Sequence, residues 1–131
     1  MSHHREPVTA LGAPAAIGPY RHAVRSGGLL FCSGQIPLDP DSGELVGKTA
    51  AEQVQRCLEN LGAVCAAAGA SLHDAVRVTV YLTDLAGDFA EVNEAYAEFF
   101  EADPPARVAI GVAALPKGAQ VELDAIVALP S

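Results

Sequence analysis

The stretch from Pro104 to Val127, PPARVAIGVAALPKGAQVELDAIV, restricts the fold more than any other part of the chain. Its leading prolines end whatever helix precedes them, and two apolar, alternating runs follow, each with the two-residue period of a strand. In the first, Arg107 lies opposite a face made by Val108, Ile110 and Val112. In the second, Val121, Leu123, Ala125 and Val127 form one face, with Glu122, Asp124 and Ile126 on the other. Leu115-Pro-Lys-Gly118 between them has turn chemistry. If the two strands pair around that turn, Arg107 and Glu122 share a face. Such a pair is either two solvent-facing charges on a half-buried sheet or a working pair. Arginine suits the two-point holding of a carboxylate, and a glutamate beside a water can act as a general base or acid.

The rest of the chain supplies strands and helices to pack against this stretch. Residues 1–18 form a turn-rich arm in which Gly12, Pro14, Gly18 and Pro19 exclude a long helix. Two short strands between Tyr20 and Ser33 flank Gly27-Gly28, which predicts a tight hairpin. Residues 37–44, PLDPDSGE, make a surface excursion. Thr49-Ala-Ala-Glu52 has the spacing of a capping box, and Val54, Leu58, Leu61, Val64, Cys65 and Ala68 continue at helical spacing until Gly69 stops the helix. Gln53, Gln55, Arg56, Glu59 and Asn60 fall mostly elsewhere on it. Residues 75–82 alternate Val76, Val78, Val80 and Leu82 against Arg77, Thr79 and Tyr81, the clearest strand. Asp88-Phe-Ala-Glu91 repeats an acidic capping signature, and Phe89, Val92, Tyr96, Phe99 and Phe100 follow at helical spacing. The order predicts an α+β domain spanning 1–131, a sheet with both helices on one face.

With 131 residues such a domain can bury a core without disulfide or metal. Half of its residues are hydrophobic, and the mean hydropathy of +0.25 leaves apolar surface to hide. A partner subunit is the expected cover for the second sheet face. The net charge of −8 and the lack of any cationic cluster argue against nucleic acid as partner. MSHHREPV lacks the apolar core of a signal peptide and no stretch suits a membrane span, so a cytoplasmic protein without membrane partners is the expectation.

Other chemistries find little support. His3, His4, His22 and His73 have no metal-binding spacing, and neither phosphate-loop pattern occurs. Ser33, in CSGQ, is not on a nucleophile elbow. Cys32, Cys57 and Cys65 show no disulfide or zinc framework and are expected as reduced, packed thiols.

The segments IGPY at 17–20, SGQIP at 33–37, VTVYLTDL at 78–85, FAEVNEAYAEFF at 89–100, PAR at 105–107 and LPKGAQVELDAI at 115–126 together resemble the RidA/YjgF family of enamine/imine deaminases. The resemblance spans nearly the whole chain in order. It implies a chorismate-mutase-like α+β fold, and a homotrimer whose sheets close into a central barrel with active sites between subunits. It implies hydrolysis of 2-aminoacrylate and its tautomer 2-iminopropionate to 2-keto acid and ammonia, with no cofactor and no metal. By the same resemblance Arg107 holds the substrate carboxylate and Glu122 serves the hydrolytic water. Tyr20 lines the cleft, Ser33 and Gly34 make its polar floor, Asn93 stands on its side and Pro116 is a wall. Many relatives carry cysteine two residues after the arginine, where this chain has Ala109, so thiol chemistry at that position is absent. Alternatives are a trimer that binds small carboxylates or 2-keto acids without turnover, and a deaminase dedicated to a pathway such as aminomuconate or pyrimidine breakdown. An endoribonuclease or translation inhibitor, attached to some members, is opposed by the charge.

Overall fold

The structure, a computed structural model, describes residues 4–131; His3 lies outside them. The six strands are β1 (Glu6–Val8), β2 (Ala23–Ser26), β3 (Leu29–Gln35), β4 (Ala75–Leu82), β5 (Ala106–Gly111) and β6 (Val121–Ala128). Two helices, α1 (Ala50–Ala67) and α2 (Leu85–Phe100), complete the main elements. The strands form one sheet in the order β1-β2-β3-β6-β4-β5, antiparallel except for the β4–β5 pair. The expected α+β class with two helices is therefore present. β1 was not anticipated: it is three residues long and contains Pro7, so it carries almost no strand periodicity.

The local signals behave as their chemistry requires. Gly27 and Gly28 take φ of 59° and 83°, the paired positive values a two-residue hairpin needs, and Ser26 faces Leu29 across it. At α1 the Thr49 hydroxyl accepts from the Glu52 amide at 3.2 Å, and the Glu52 carboxylate accepts from the Thr49 amide at 3.1 Å. Thr49→Ala is expected to cost about 1 kcal/mol, read as a lower urea midpoint with an unchanged slope. Gln53 and Asn60, two of the polar residues of α1, turn out to be buried. Asn60 donates to the carbonyls of Ile36 and Leu38, and Gln53 bonds Gly47 and Gln120, so both fasten loops that cross the helix. The second helix starts one turn before the expected Asp88: Asp84 is its N-cap and accepts from the Gly87 amide at 3.1 Å.

Two strand expectations are corrected. Val76 does not join Val78, Val80 and Leu82 in the core but is 50% exposed. Ala75 faces Val127 while Arg77 faces Ile126, so Val76 is the extra residue of a bulge. More consequentially, β5 and β6 do not form a hairpin, because β4 lies between them. The reason is the crossover: α2 carries the chain back so that β5 runs parallel to β4, an arrangement that needs a connection of a dozen or more residues, which the 16-residue helix provides. β6 then takes the central slot between β3 and β4, where Val121, Leu123, Ala125 and Val127 are all buried.

The core lies between this sheet and the helices, joining Leu30, Val78, Val80, Leu82 and the inner face of β6 to Val54, Leu58, Leu61 and Val64 of α1 and Val92 and Tyr96 of α2. Among the described residues no helix covers the opposite sheet face. Phe31 and Ile110 stand on it at 43% and 46% exposure. No helix among the described residues is long and apolar enough to cross a membrane.

Candidate active site

The site begins at an irregularity in β3. Cys32 faces Ala125 and Gln35 faces Leu123, so Ser33 and Gly34 on β3 oppose the single residue Asp124 on β6. The strand swells there, and the Glu122 side chain enters the space beside Gly34. A Cβ built on Gly34 would collide with the Glu122 carboxylate. Gly34 is thus the floor on which this carboxylate rests. Gly34→Ala is expected to displace it and to lower any activity that depends on Glu122 by at least about tenfold, a misplacement effect, while circular dichroism stays that of a folded chain.

Around the carboxylate lies a cavity of about 300 Å³. Tyr20, Ser33, Gly34, Pro116 and Glu122 all line it, five residues expected from motifs far apart in the chain. Ile17 and Ile36 supply its apolar walls and were missed as site residues, although they stand inside the IGPY and SGQIP segments; single apolar residues carry no chemical signal of their own. Ser33 is anchored, its hydroxyl donating to the Arg21 carbonyl at 2.6 Å. The Tyr20 hydroxyl accepts from the Ile17 amide at 3.3 Å. Buried His22 pins the arm behind them. The Ala10 amide donates to its Nδ1 at 2.9 Å and its Nε2 donates to the Pro14 carbonyl at 2.8 Å, a structural role rather than a metal ligand's.

Burial pushes the Glu122 carboxyl above the usual carboxylate range, and the neighbouring Asp124 charge adds to the effect. Asp124 accepts from the Tyr81 hydroxyl at 2.9 Å, which fixes its position on the same open face. The fold favours the neutral Glu122, so the stability this provides is present at low pH and is lost as pH rises through the raised value. In Glu122→Gln that pH dependence is expected to vanish from the denaturation profile.

Arg107 lies elsewhere. Its neighbour on β4 is fully buried Val78, so its side chain leaves the sheet on the helix side, reversing the expectation that Val108 and Ile110 make the apolar inner face. Val108 and Ile110 are the exposed pair; Ala109 shares the side of Arg107 and packs on the core. The Arg107 guanidinium donates to Asn93 Oδ1 at 2.7 Å and sits 4.9 Å and 5.7 Å from the ring centres of Tyr96 and Phe89, all on α2. Asn93, expected to touch substrate, thus orients the arginine in this chain. Two aromatic faces and one amide hold the group and leave most of its donors free.

Glu122 is opposite Tyr81, three residues further along β4 than the Val78 opposite Arg107. Two strand spacings across and three residues along put the two Cα atoms about 14 Å apart, with the side chains on opposite faces of the sheet. The shared face expected from a hairpin does not exist within one chain. No cluster of three or more His, Cys, Asp or Glu among the described residues could hold a metal ion.

The family model described as Endoribonuclease L-PSP matches residues 10–129. The chain belongs to the RidA/YjgF family. Within that family, the 2-iminobutanoate/2-iminopropanoate deaminase of Mus musculus is 45% identical over 122 residues, 93% of this chain and 90% of the mouse protein. The RutC family protein y4sK of Sinorhizobium fredii is 50% identical over 124 residues, covering 95% of this chain and 98% of its own. The crystal structure of RidA from the Antarctic bacterium Psychrobacter sp. PAMC 21119 superposes with a TM-score of 0.90 at 42% identity, covering 95% of this chain and 99% of that one. RidA/YjgF membership accounts for the mixed fold of two helices on a six-stranded sheet.

Proposed function

We propose that the chain hydrolyses 2-imino acids of the 2-iminopropionate type to 2-keto acid and ammonia, in sites shared between the protomers of a homotrimer. The observation that carries this reading is the half-buried Glu122 carboxylate in a small cavity with Tyr20 and Ser33. Arg107, held ready with free donors, is the matching group for a substrate carboxylate. Because these two residues lie on opposite faces of one sheet, a substrate of three or four carbons meets both only if Arg107 of one protomer reaches the Glu122 cavity of the next. The uncovered sheet face with Phe31, Val108 and Ile110 supports an assembly of this kind, with the sheets closing into a central barrel.

In this mechanism Arg107 fixes the carboxylate, and water adds to the imine carbon as Glu122 takes one of its protons. The same proton passes to nitrogen to give the neutral carbinolamine. Glu122 then takes the carbinolamine hydroxyl proton and hands it to the departing nitrogen, so that the carbonyl forms as the carbon–nitrogen bond breaks and ammonia leaves. An imine carbon is already electrophilic, so proton transfer and positioning suffice and no cofactor is required. The raised carboxyl makes the Glu122 carboxylate a stronger base toward water than an ordinary glutamate, which favours the first half of the transfer.

The test generates 2-aminoacrylate in place with a serine dehydratase and follows its decay. The wild-type protein is expected to accelerate the decay; no acceleration, with 2-keto acids still bound in calorimetry, would favour a binding protein instead. Shared sites have a further signature. When Arg107→Ala and Glu122→Gln chains, each lowered in kcat/KM by about 10²-fold or more alone, are refolded together in equal amounts, about a quarter of randomly formed interfaces carry both intact residues. Activity near that fraction is expected. A mixture as inactive as its components would mean that both residues serve from one protomer.

A further inference from the structure

A second groove, of about 620 Å³, adjoins the Glu122 cavity and shares Tyr20 and Ser33 with it. Arg5 and Arg21 are its charged side chains, and no carboxylate lines it. That is unusual for a chain with sixteen acidic residues against eight basic ones. The acid nearest in sequence, Glu6, is engaged by His4 at 2.8 Å and Arg25 at 3.7 Å. Neither Arg5 nor Arg21 forms an ion pair among the described residues.

Both arginines have fixed roots. The Arg21 carbonyl accepts the Ser33 hydroxyl, which ties its backbone to β3 beside the cavity floor. Arg5 directly precedes β1, whose Glu6 pairs with Arg25 of β2. Two arginines lining a groove beside an otherwise apolar and acidic cavity give it local positive charge in a molecule of net charge −8. Their planar donors match a carboxylate in the way that lysines would not.

We infer that this groove is a subsite for a second, distal carboxylate, so that the site favours 2-imino dicarboxylates, and their 2-keto products, over monocarboxylic ones. The inference rests on the reading above for the placement of the reacting carbon, at Glu122. The first carboxylate remains with Arg107 and the distal one reaches past Tyr20 and Ser33 toward Arg5 and Arg21.

Stable 2-keto acids test this without turnover. In calorimetry the wild-type protein is expected to bind 2-oxoglutarate about tenfold more tightly than 2-oxobutanoate, a margin that narrows with added salt. Arg5→Gln combined with Arg21→Gln is expected to abolish the preference and leave 2-oxobutanoate affinity unchanged. Equal wild-type affinities, or a preference that survives the double substitution, would overturn the subsite. The two readings fail separately: a protein that binds dicarboxylates through these arginines yet hydrolyses no imine refutes only the deaminase. One that hydrolyses 2-iminopropionate but shows no dicarboxylate preference refutes only the subsite.

Discussion

Replacing Glu122 by glutamine is expected to lower the catalysed hydrolysis of 2-iminopropionate by about 10²–10⁴-fold, the usual cost of removing a general base. The loss should appear in kcat, because the amide keeps the size and polarity of the carboxylate in its place beside Gly34 but cannot take a proton from water. Imine hydrolysis is quick without a catalyst, so the variant should approach the background. The pH profile separates this role from a structural one. Since burial and Asp124 raise the Glu122 carboxyl, the acid limb of the wild-type rate should lie above the ordinary carboxylate range, with activity rising as the carboxylate forms. The limb should be absent in the variant. A variant that keeps both its rate and its acid limb would remove Glu122 from the mechanism.

Arg107→Ala is expected to reduce kcat/KM by about 10²-fold, chiefly through KM, because the substrate carboxylate loses its charged partner while the water and Glu122 are untouched. Arg107→Lys should fall between, since lysine keeps the charge and loses the planar fork. Thermal stability should barely change: the residue is on an edge strand, and its contacts to Asn93, Tyr96 and Phe89 hold the guanidinium rather than the core. Equal losses for substrates with and without a carboxylate would show that Arg107 does not recognise that group.

Asn93 illustrates how far the sequence could be read. Its motif, EVNEAY, marks it as part of the site, yet only the packing of α2 on β5 shows that its amide engages Arg107. Gly34 is the opposite case. Within SGQIP it was legible as floor, and the bulge of β3 explains why no larger residue fits under the Glu122 carboxylate. Ile17 and Ile36 were not legible, because an apolar wall differs from an apolar core residue only in what lies beyond it.

By itself the sequence determined both helices and every strand but β1, since a capping box, paired glycines and two-residue alternation are local chemistry that acts within a few residues. It also carried the family through motifs spread along the whole chain. What the tertiary structure alone decided was the neighbour of each strand. Alternation says which residues of one strand share a face, but not which strand lies beside it or which face looks inward. That depends on the α2 crossover, which places β4 between β5 and β6 and sends Arg107 and Glu122 to opposite sides of the sheet.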